Sequence, residues 1–255
     1  MSNISKEKGK ILLSITMTCF NQSSFIEEAI ESVIKQTYKN WQIVIVDDCS
    51  ADNSVKVIKS YIKKFNIIDK VKILTNKKNM GYGYSLKKAI SNCDGELIGI
   101  LDGDDALDED IALKMCIKKH IKHPEVSMTY TNFRQYNKNF NRLQKVWKSS
   151  QIPEGKSFIN KGGDIKVSHF KVFKKQFYDL TLGVDETLLQ IVDKDLILKL
   201  EEVGKLLYID GFFYKYRSHP QNLSMSKYKK SKEYRNMISK SRQKIYKDAL
   251  ERRDK

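Results

Sequence analysis

Cysteine and proline are scarce in this 255-residue chain, with four Cys, three Pro and twelve Gly. No two of Cys19, Cys49, Cys93 and Cys116 stand at C-x-x-C spacing. Four cysteines are also too few to staple a chain of this length, so free thiols in a reducing cytosol are the simplest reading. So little Pro and Gly excludes collagen-like and low-complexity classes. No apolar run approaches the roughly 18 residues that a bilayer span needs. Residues 1–10 are polar and basic and carry no signal-peptide core. These absences predict a cytoplasmic protein, free or lying on a membrane surface.

What is present is ordinary globular material. Hydrophobic residues make up 40% and charged residues 31%, enough apolar side chain for a sizeable core. Forty-seven Lys and Arg against 31 Asp and Glu leave a net charge of +16. An excess of that size favours an anionic partner: a nucleotide, a nucleic acid or an anionic lipid surface.

The first half alternates two periodicities. Strands are expected at 11–19, 42–46, 71–75, 97–101 and 126–131. Helices are expected at 24–35, 54–65, 84–93 and 108–122. Ser24 with Glu27 reads as a capping box for the first of these helices. Asp108, Glu109 and Asp110 read as acids in the first turn of the fourth, favoured by its dipole. His120 and His123 read as surface groups at its other end. This alternation implies an α/β chain with parallel strands and ligands at their carboxyl ends. Those ends carry Thr18-Cys19-Phe20-Asn21, Asp47-Asp48 and Asp102-Gly103-Asp104-Asp105.

The pattern weakens beyond residue 132. Residues 132–166 read as a long loop or a few short strands, 167–173 and 206–216 as strands, and 188–203 as a helix. Residues 227–255 hold twelve Lys/Arg and four Asp/Glu, so 12 − 4 = +8. Tyr234, Ile238, Ile245 and Ala249 share one face of a helix there. Such a tail can pack on the body or on another copy of the chain, forming a homo-oligomer. It can also lie on anionic lipid, or touch nucleic acid without sequence preference.

The strongest chemical signal is Leu101-Asp102-Gly103-Asp104-Asp105. Three carboxylates within four residues repel one another, and a hard divalent cation relieves that cost. An acidic turn that caps the next helix is the plainer alternative. Asp48 fits either a hydrogen-bond acceptor for a base or ribose, or a helix cap.

Five segments carry a resemblance when taken together: residues 14–21, 30–37, 45–50, Asn79-Met80-Gly81, and 95–105. In this order and spacing they resemble the family 2 glycosyltransferases, collinearly over residues 11–130. The resemblance resumes at 183–186, at 192–200, and at Tyr216-Arg217-Ser218-His219 followed by Ser224 and Ser226. It implies the GT-A fold, a Rossmann-like, mostly parallel sheet flanked by helices. Residues 1–125 would form a nucleotide-sugar-binding half, 126–226 an acceptor and catalytic-base half, and 227–255 a basic helical tail.

The resemblance further implies an inverting transferase that moves a sugar from a UDP-sugar or related donor to a glycan or lipid-linked hydroxyl, in cell-surface polysaccharide synthesis. Thr18, Phe20, Asn21, Asp48, Asn79 and Gly81 would line the nucleoside pocket. Lys87 and Arg217 would meet the phosphates, and Asp102 the ribose or donor sugar. Asp104 and His219 would hold Mn²⁺ or Mg²⁺, with Asp105 flanking toward metal or sugar. Asp193 would be the catalytic base, preceded by Val192 where relatives carry Glu. Asp185, Glu186 and His169 would border the acceptor. Lys199 replaces the family's usual Arg and lacks its bidentate fork. Two rivals fit less well. A sugar-phosphate nucleotidyltransferase would carry a Gly-rich loop after the first strand, and Phe20-Asn21-Gln22-Ser23 has none. A basic nucleic-acid-binding module would not place acids at its strand ends, so no specific nucleic-acid partner is expected.

Overall fold

The computed structural model describes residues 10–159, 167–188, 190–222 and 231–254. Leu189, Ser224 and Ser226 lie outside the described residues. Strand β1 (Leu13–Cys19), β2 (Trp41–Asp47), β3 (Val71–Thr75) and β4 (Leu97–Ile100) form one parallel block in the order β3-β2-β1-β4. The helices between them are α1 (Ile26–Ile34), α2 (Ser54–Lys64) and α3 (Tyr82–Ser91). Alternation along β2 shows why both faces are covered. Ile43 and Ile45 join a core with α1 and α2, whereas Val44 and Val46 join a second core with α3. Because the strands are parallel, their carboxyl ends meet along one rim.

After β4 come β5 (Ala106–Leu107), α4 (Ala112–Lys122), β6 (Val126–Asn137), β7 (Leu143–Trp147), β8 (Lys171–Lys174), α5 (Lys175–Tyr178), α6 (Val192–Val203), β9 (Lys205–Ser218) and α7 (Lys232–Arg253). Strand β8 enters between β4 and β6, antiparallel to both, and β9 runs parallel to β6. Strand β6 outruns its expected length and pairs with β7 where a loop was one of two expectations. The tail helix α7 buries Ile245 and Ala249 in the same core as α6. Arg252 pairs with Glu202, and Arg253 with Glu201.

Three local expectations are corrected. The first helix starts behind Phe25 with no side-chain cap, so the Ser24–Glu27 box does not form. Helix α4 starts only at Ala112, because Arg134 and Lys215 hold Asp108 in the preceding segment. His120 is buried, its Nε2 lying 3.1 Å from the Val172 carbonyl and 3.3 Å from Thr129 Oγ1. Burial pushes its imidazole down to about 4, so it is a neutral core group and no dipole partner.

Candidate active site

Four loops converge on the rim: 18–24 after β1, 47–53 after β2, 76–81 after β3 and 101–105 after β4. Gly103 of the fourth loop packs against the end of β1 and the start of α1. A Cβ there would stand 2.9 Å from Ile26 Cδ1 and 3.0 Å from the Thr18 carbonyl. The Gly103 amide itself donates to that carbonyl at 3.3 Å. The acidic loop is thereby pinned against the end of β1.

Asp48 is buried, and three protein donors reach its carboxylate at 2.8 Å: Asn76 Nδ2 and the amides of Met80 and Gly81. It therefore holds the 76–81 loop in place at the rim. Gly81 sits at φ +90°, which a side chain would oppose, and leads into α3. Asn79 is exposed on that loop. Asn21, at φ +53°, accepts from the Ala51 amide at 2.8 Å and so ties the first two loops together. Phe20 is exposed beside it, and Thr18 is half-buried. A cleft of about 450 Å³ opens among Asn21, Phe25, Asp52, Lys138 and Gln221.

The three acids of the fourth loop take different directions. Asp105, expected to reach metal or sugar, turns inward instead. Its carboxylate accepts from Tyr214 Oη and from the Arg217 amide, each at 2.7 Å. Burial, with the charges of Asp104 and Asp102, raises it well above the usual carboxylate range. Asp104 turns toward the segment after β9, and its Oδ2 lies 2.9 Å from His219 Nε2 and 3.1 Å from Asn222 Nδ2. Asp102 is pushed up to about 7 by burial and then by the Asp104 charge, while Lys171 opposes the shift.

Whether a cation fits can be judged from these donors. Asp104 and His219 hydrogen-bond one another, so a cation would have to displace that contact, and the Asp104 charge that helps raise Asp102 is what it would relieve. Among the described residues, no group of three or more His, Cys, Asp and Glu surrounds one metal position. These two donors would supply at most a partial shell for Mg²⁺ or Mn²⁺, which substrate phosphates would have to complete.

Arg217 holds the frame of this site. Its Nε donates to the Asp104 carbonyl at 2.6 Å, Nη1 donates to the Lys138 carbonyl at 2.5 Å, and Nη2 pairs with Glu28. The guanidinium lies between the rings of Phe25 and Phe140, at 4.8 and 3.6 Å. With each of its three nitrogens donating to a protein acceptor, it fixes the acidic loop against β9. Lys87 likewise faces Glu186 at 3.4 Å, across from α3 to the segment before α6. Asp185 accepts from Thr187 and lies 3.6 Å from Lys244 of α7.

Asp193 is the second residue of α6. Its side chain is 42% exposed, and its Oδ2 lies 3.4 Å from Lys171 Nζ. Burial raises its carboxyl, but Lys171, His169 and Lys194 outweigh that and hold it below the usual range. His169 stacks on Tyr214, with ring centroids 4.5 Å apart, and burial beside Lys171 pushes it down to about 3. The rim thus brings Asp102, Asp104 and His219 together, with Asp193 and His169 on the β8 side.

Three contributors were missed from sequence. Lys171 is buried in β8 between the charges of Asp102 and Asp193. The signal was a lysine inside the apolar run His169-Phe170-Lys171-Val172-Phe173. Tyr82 hydrogen-bonds Asp102, and Tyr214 Oη accepts from the Asp102 amide at 3.3 Å. Nothing in sequence marks either tyrosine, because both reach the acids across long stretches of chain.

The model of the family described as Glycosyl transferase family 2 matches residues 14–181. The chain is 29% identical over 216 residues to the hyaluronan synthase of Pasteurella multocida, covering 85% of this chain and 21% of that protein. Its fold is similar to that of S. aureus TarS in complex with UDP-GlcNAc. The TM-score is 0.70 at 18% identity, over 89% of this chain and 64% of that one. It is also similar to the mannosyltransferase PcManGT from Pyrobaculum calidifontis in complex with GDP-Man and Mn²⁺. There the TM-score is 0.62 at 13% identity, over 84% and 58% of the two chains.

Proposed function

The chain belongs to glycosyl transferase family 2, and from that premise we propose that it moves a sugar from a nucleotide-sugar, foremost a UDP-sugar, to a hydroxyl of a glycan or lipid-linked acceptor. It is a glycosyltransferase by family. The donor, the acceptor and the use of metal are this proposal. Neighbours of the same fold that hold UDP-GlcNAc or GDP-Man support a donor of that class. A relative named as a polysaccharide synthase supports a glycan acceptor.

The observation that carries the reading is the placing of Asp193. Its carboxylate is accessible, kept ionised by Lys171, and on the same rim as Asp102 and Asp104. The nucleoside would enter along Thr18, Phe20, Asn21 and the Asp48-held loop. Asp104 and His219 would hold a divalent cation, which when bound supplies positive charge to a leaving diphosphate. Asp193 takes the proton of the acceptor hydroxyl at Oδ as that oxygen attacks the anomeric carbon, which inverts the centre in one displacement. Arg217 contributes by fixing the Asp104 backbone. Asp185 and Glu186, paired with Lys244 and Lys87, would border the acceptor side.

Two measurements test this. Thermal melting with a panel of nucleotide-sugars, with and without Mn²⁺, should show one UDP-sugar raising the midpoint most, and more so with the metal. Asp193→Asn should lower turnover by about 10²–10⁴-fold and leave UDP affinity near the parental value. Sugar transfer at the parental rate by that variant would remove Asp193 as base. No stabilisation by any nucleotide-sugar would remove the donor reading.

A further inference from the structure

The extension of β6 beyond the main sheet builds a surface that the donor chemistry does not use. Phe133 stands opposite Trp147 of β7 and opposite Tyr214 of β9, so the three side chains share one face. The rings form a continuous row. Trp147 stacks on Phe133 at 5.7 Å and 12°, Phe133 meets His169 edge-on at 5.5 Å, and His169 stacks on Tyr214. One end of the row is at the acids, since Tyr214 binds Asp105 and His169 feels the charge of Asp193. The other end is exposed: Trp147 keeps 36% of its surface open. Its indole N–H donates to Gln135 Oε1 at 3.1 Å, which fixes the ring plane.

The charge around the Trp147 end of this row has one sign. Residues 132–153 contain Arg134, Lys138, Arg142, Lys145 and Lys148 and no Asp or Glu. Arg134 is spent on Asp108, but the other four are exposed. Lys145 Nζ lies 3.8 Å from the Trp147 ring centroid, a contact that an anion can take over. The Lys145 ammonium lies over the Trp147 ring face; once it swings to an anionic group, that apolar face suits the C–H face of a pyranose, and the Gln135 amide at the ring's edge suits the polar rim. The ammonium adds a preference for a sugar that carries an anionic group.

We propose that the Phe133–Trp147 shelf is a subsite for an anionic saccharide acceptor, whose chain runs from the Asp193 end of the row out to Trp147 and Lys145. This rests on the transferase reading for the identity of the site, and extends it to the class of acceptor. The anionic group is a carboxylate or a phosphate ester, since both satisfy an ammonium.

Trp147 and the buried Trp41 are the two tryptophans of the chain, so quenching of exposed indole reports this shelf. The full-length protein is titrated with tetragalacturonate, with neutral maltotetraose and with glucose 6-phosphate, by fluorescence and by calorimetry. Tetragalacturonate should quench the emission and bind about tenfold tighter than the neutral tetraose, a gap that Lys145→Gln should close. Trp147→Ala should weaken tetragalacturonate by about tenfold in calorimetry, and Trp147→Tyr should restore most of it. Stronger binding of glucose 6-phosphate than of tetragalacturonate would identify the anion as phosphate; the reverse identifies carboxylate. Equal affinity for the charged and neutral tetraoses, no affinity for any probe, or an unchanged constant in a folded Trp147→Ala would overturn the proposal. Donor binding, read by melting with nucleotide-sugars, is a separate measurement. Its persistence alongside a failed shelf would leave the transferase reading standing.

Discussion

Lys171 shows how a single residue sets the chemistry of this site. A lysine taken out of water needs compensating charge. The carboxylate closest to it is Asp193, and Asp102 lies within its field. Its ammonium opposes the rise of Asp102 and holds Asp193 below the usual range. The base form of Asp193 is thus populated well below neutral pH. Lys171→Met removes that charge, so the Asp193 carboxyl rises and the acidic limb of the kcat/KM profile should move to higher pH. Lys171→Arg should keep the parental limb. A profile unmoved in Lys171→Met would mean that Lys171 serves packing alone. The sequence exposed Asp193 and Asp104 through motif spacing. It did not expose Lys171, because a charge in an apolar strand acquires its meaning only from the carboxylates that other elements bring to it.

At the scale of elements, α4 and β8 show a different dependence on partners. His120 joins them through its contact with the Val172 carbonyl, and its Nδ1 has no partner among the described residues. The folded imidazole titrates at about 4, against about 6.5 when unfolded. Between those values the unfolded chain binds a proton that the folded chain refuses. Stability is therefore intact above about pH 6.5 and is lost as pH falls toward 4, by about 3 kcal/mol in all. His120→Gln keeps a donor without the titration. Its urea midpoint should fall less between pH 7 and pH 5 than that of the parent, and parallel falls would disprove the assignment. From sequence, His120 read as a surface group because it stands in the last turn of a helix. That turn lies beneath β6 and β8, an arrangement that helical periodicity alone does not reveal. Helix α4 also begins later than its acids suggested, because Asp108 is captured by Arg134 and Lys215 from strands more than twenty residues away.

The whole molecule carries its excess charge unevenly. The tail supplies +8 of the +16, yet α7 is anchored to the body through Ile245 and Ala249 and through Arg252 and Arg253. No helix among the described residues is long and apolar enough to cross a membrane. Lys240, Arg242 and Lys247 remain exposed on α7. The proposed acceptor, if lipid-linked, would place the enzyme at a bilayer surface. The full chain should then float with vesicles containing anionic lipid at low salt and detach as salt rises. Lys240→Glu with Lys247→Glu should reduce flotation severalfold without altering the melting midpoint. Flotation that ignores both salt and these substitutions would exclude an electrostatic role for α7.

The sequence by itself determined the alternation of strands and helices, the parallel block and the acids at its rim. Those features depend on neighbours in the chain and on hydrophobic periodicity, which are local. It also determined the family, because the spacing of several motifs is a property of the chain alone. Only the tertiary structure decided that Asp105 and Arg217 brace the site, that β8 inserts between β4 and β6, and that Phe133, Trp147 and His169 form one row. Each of these rests on groups from distant segments competing for the same hydrogen bonds, charges and ring faces, and such a competition is resolved only when the sheet brings them within contact.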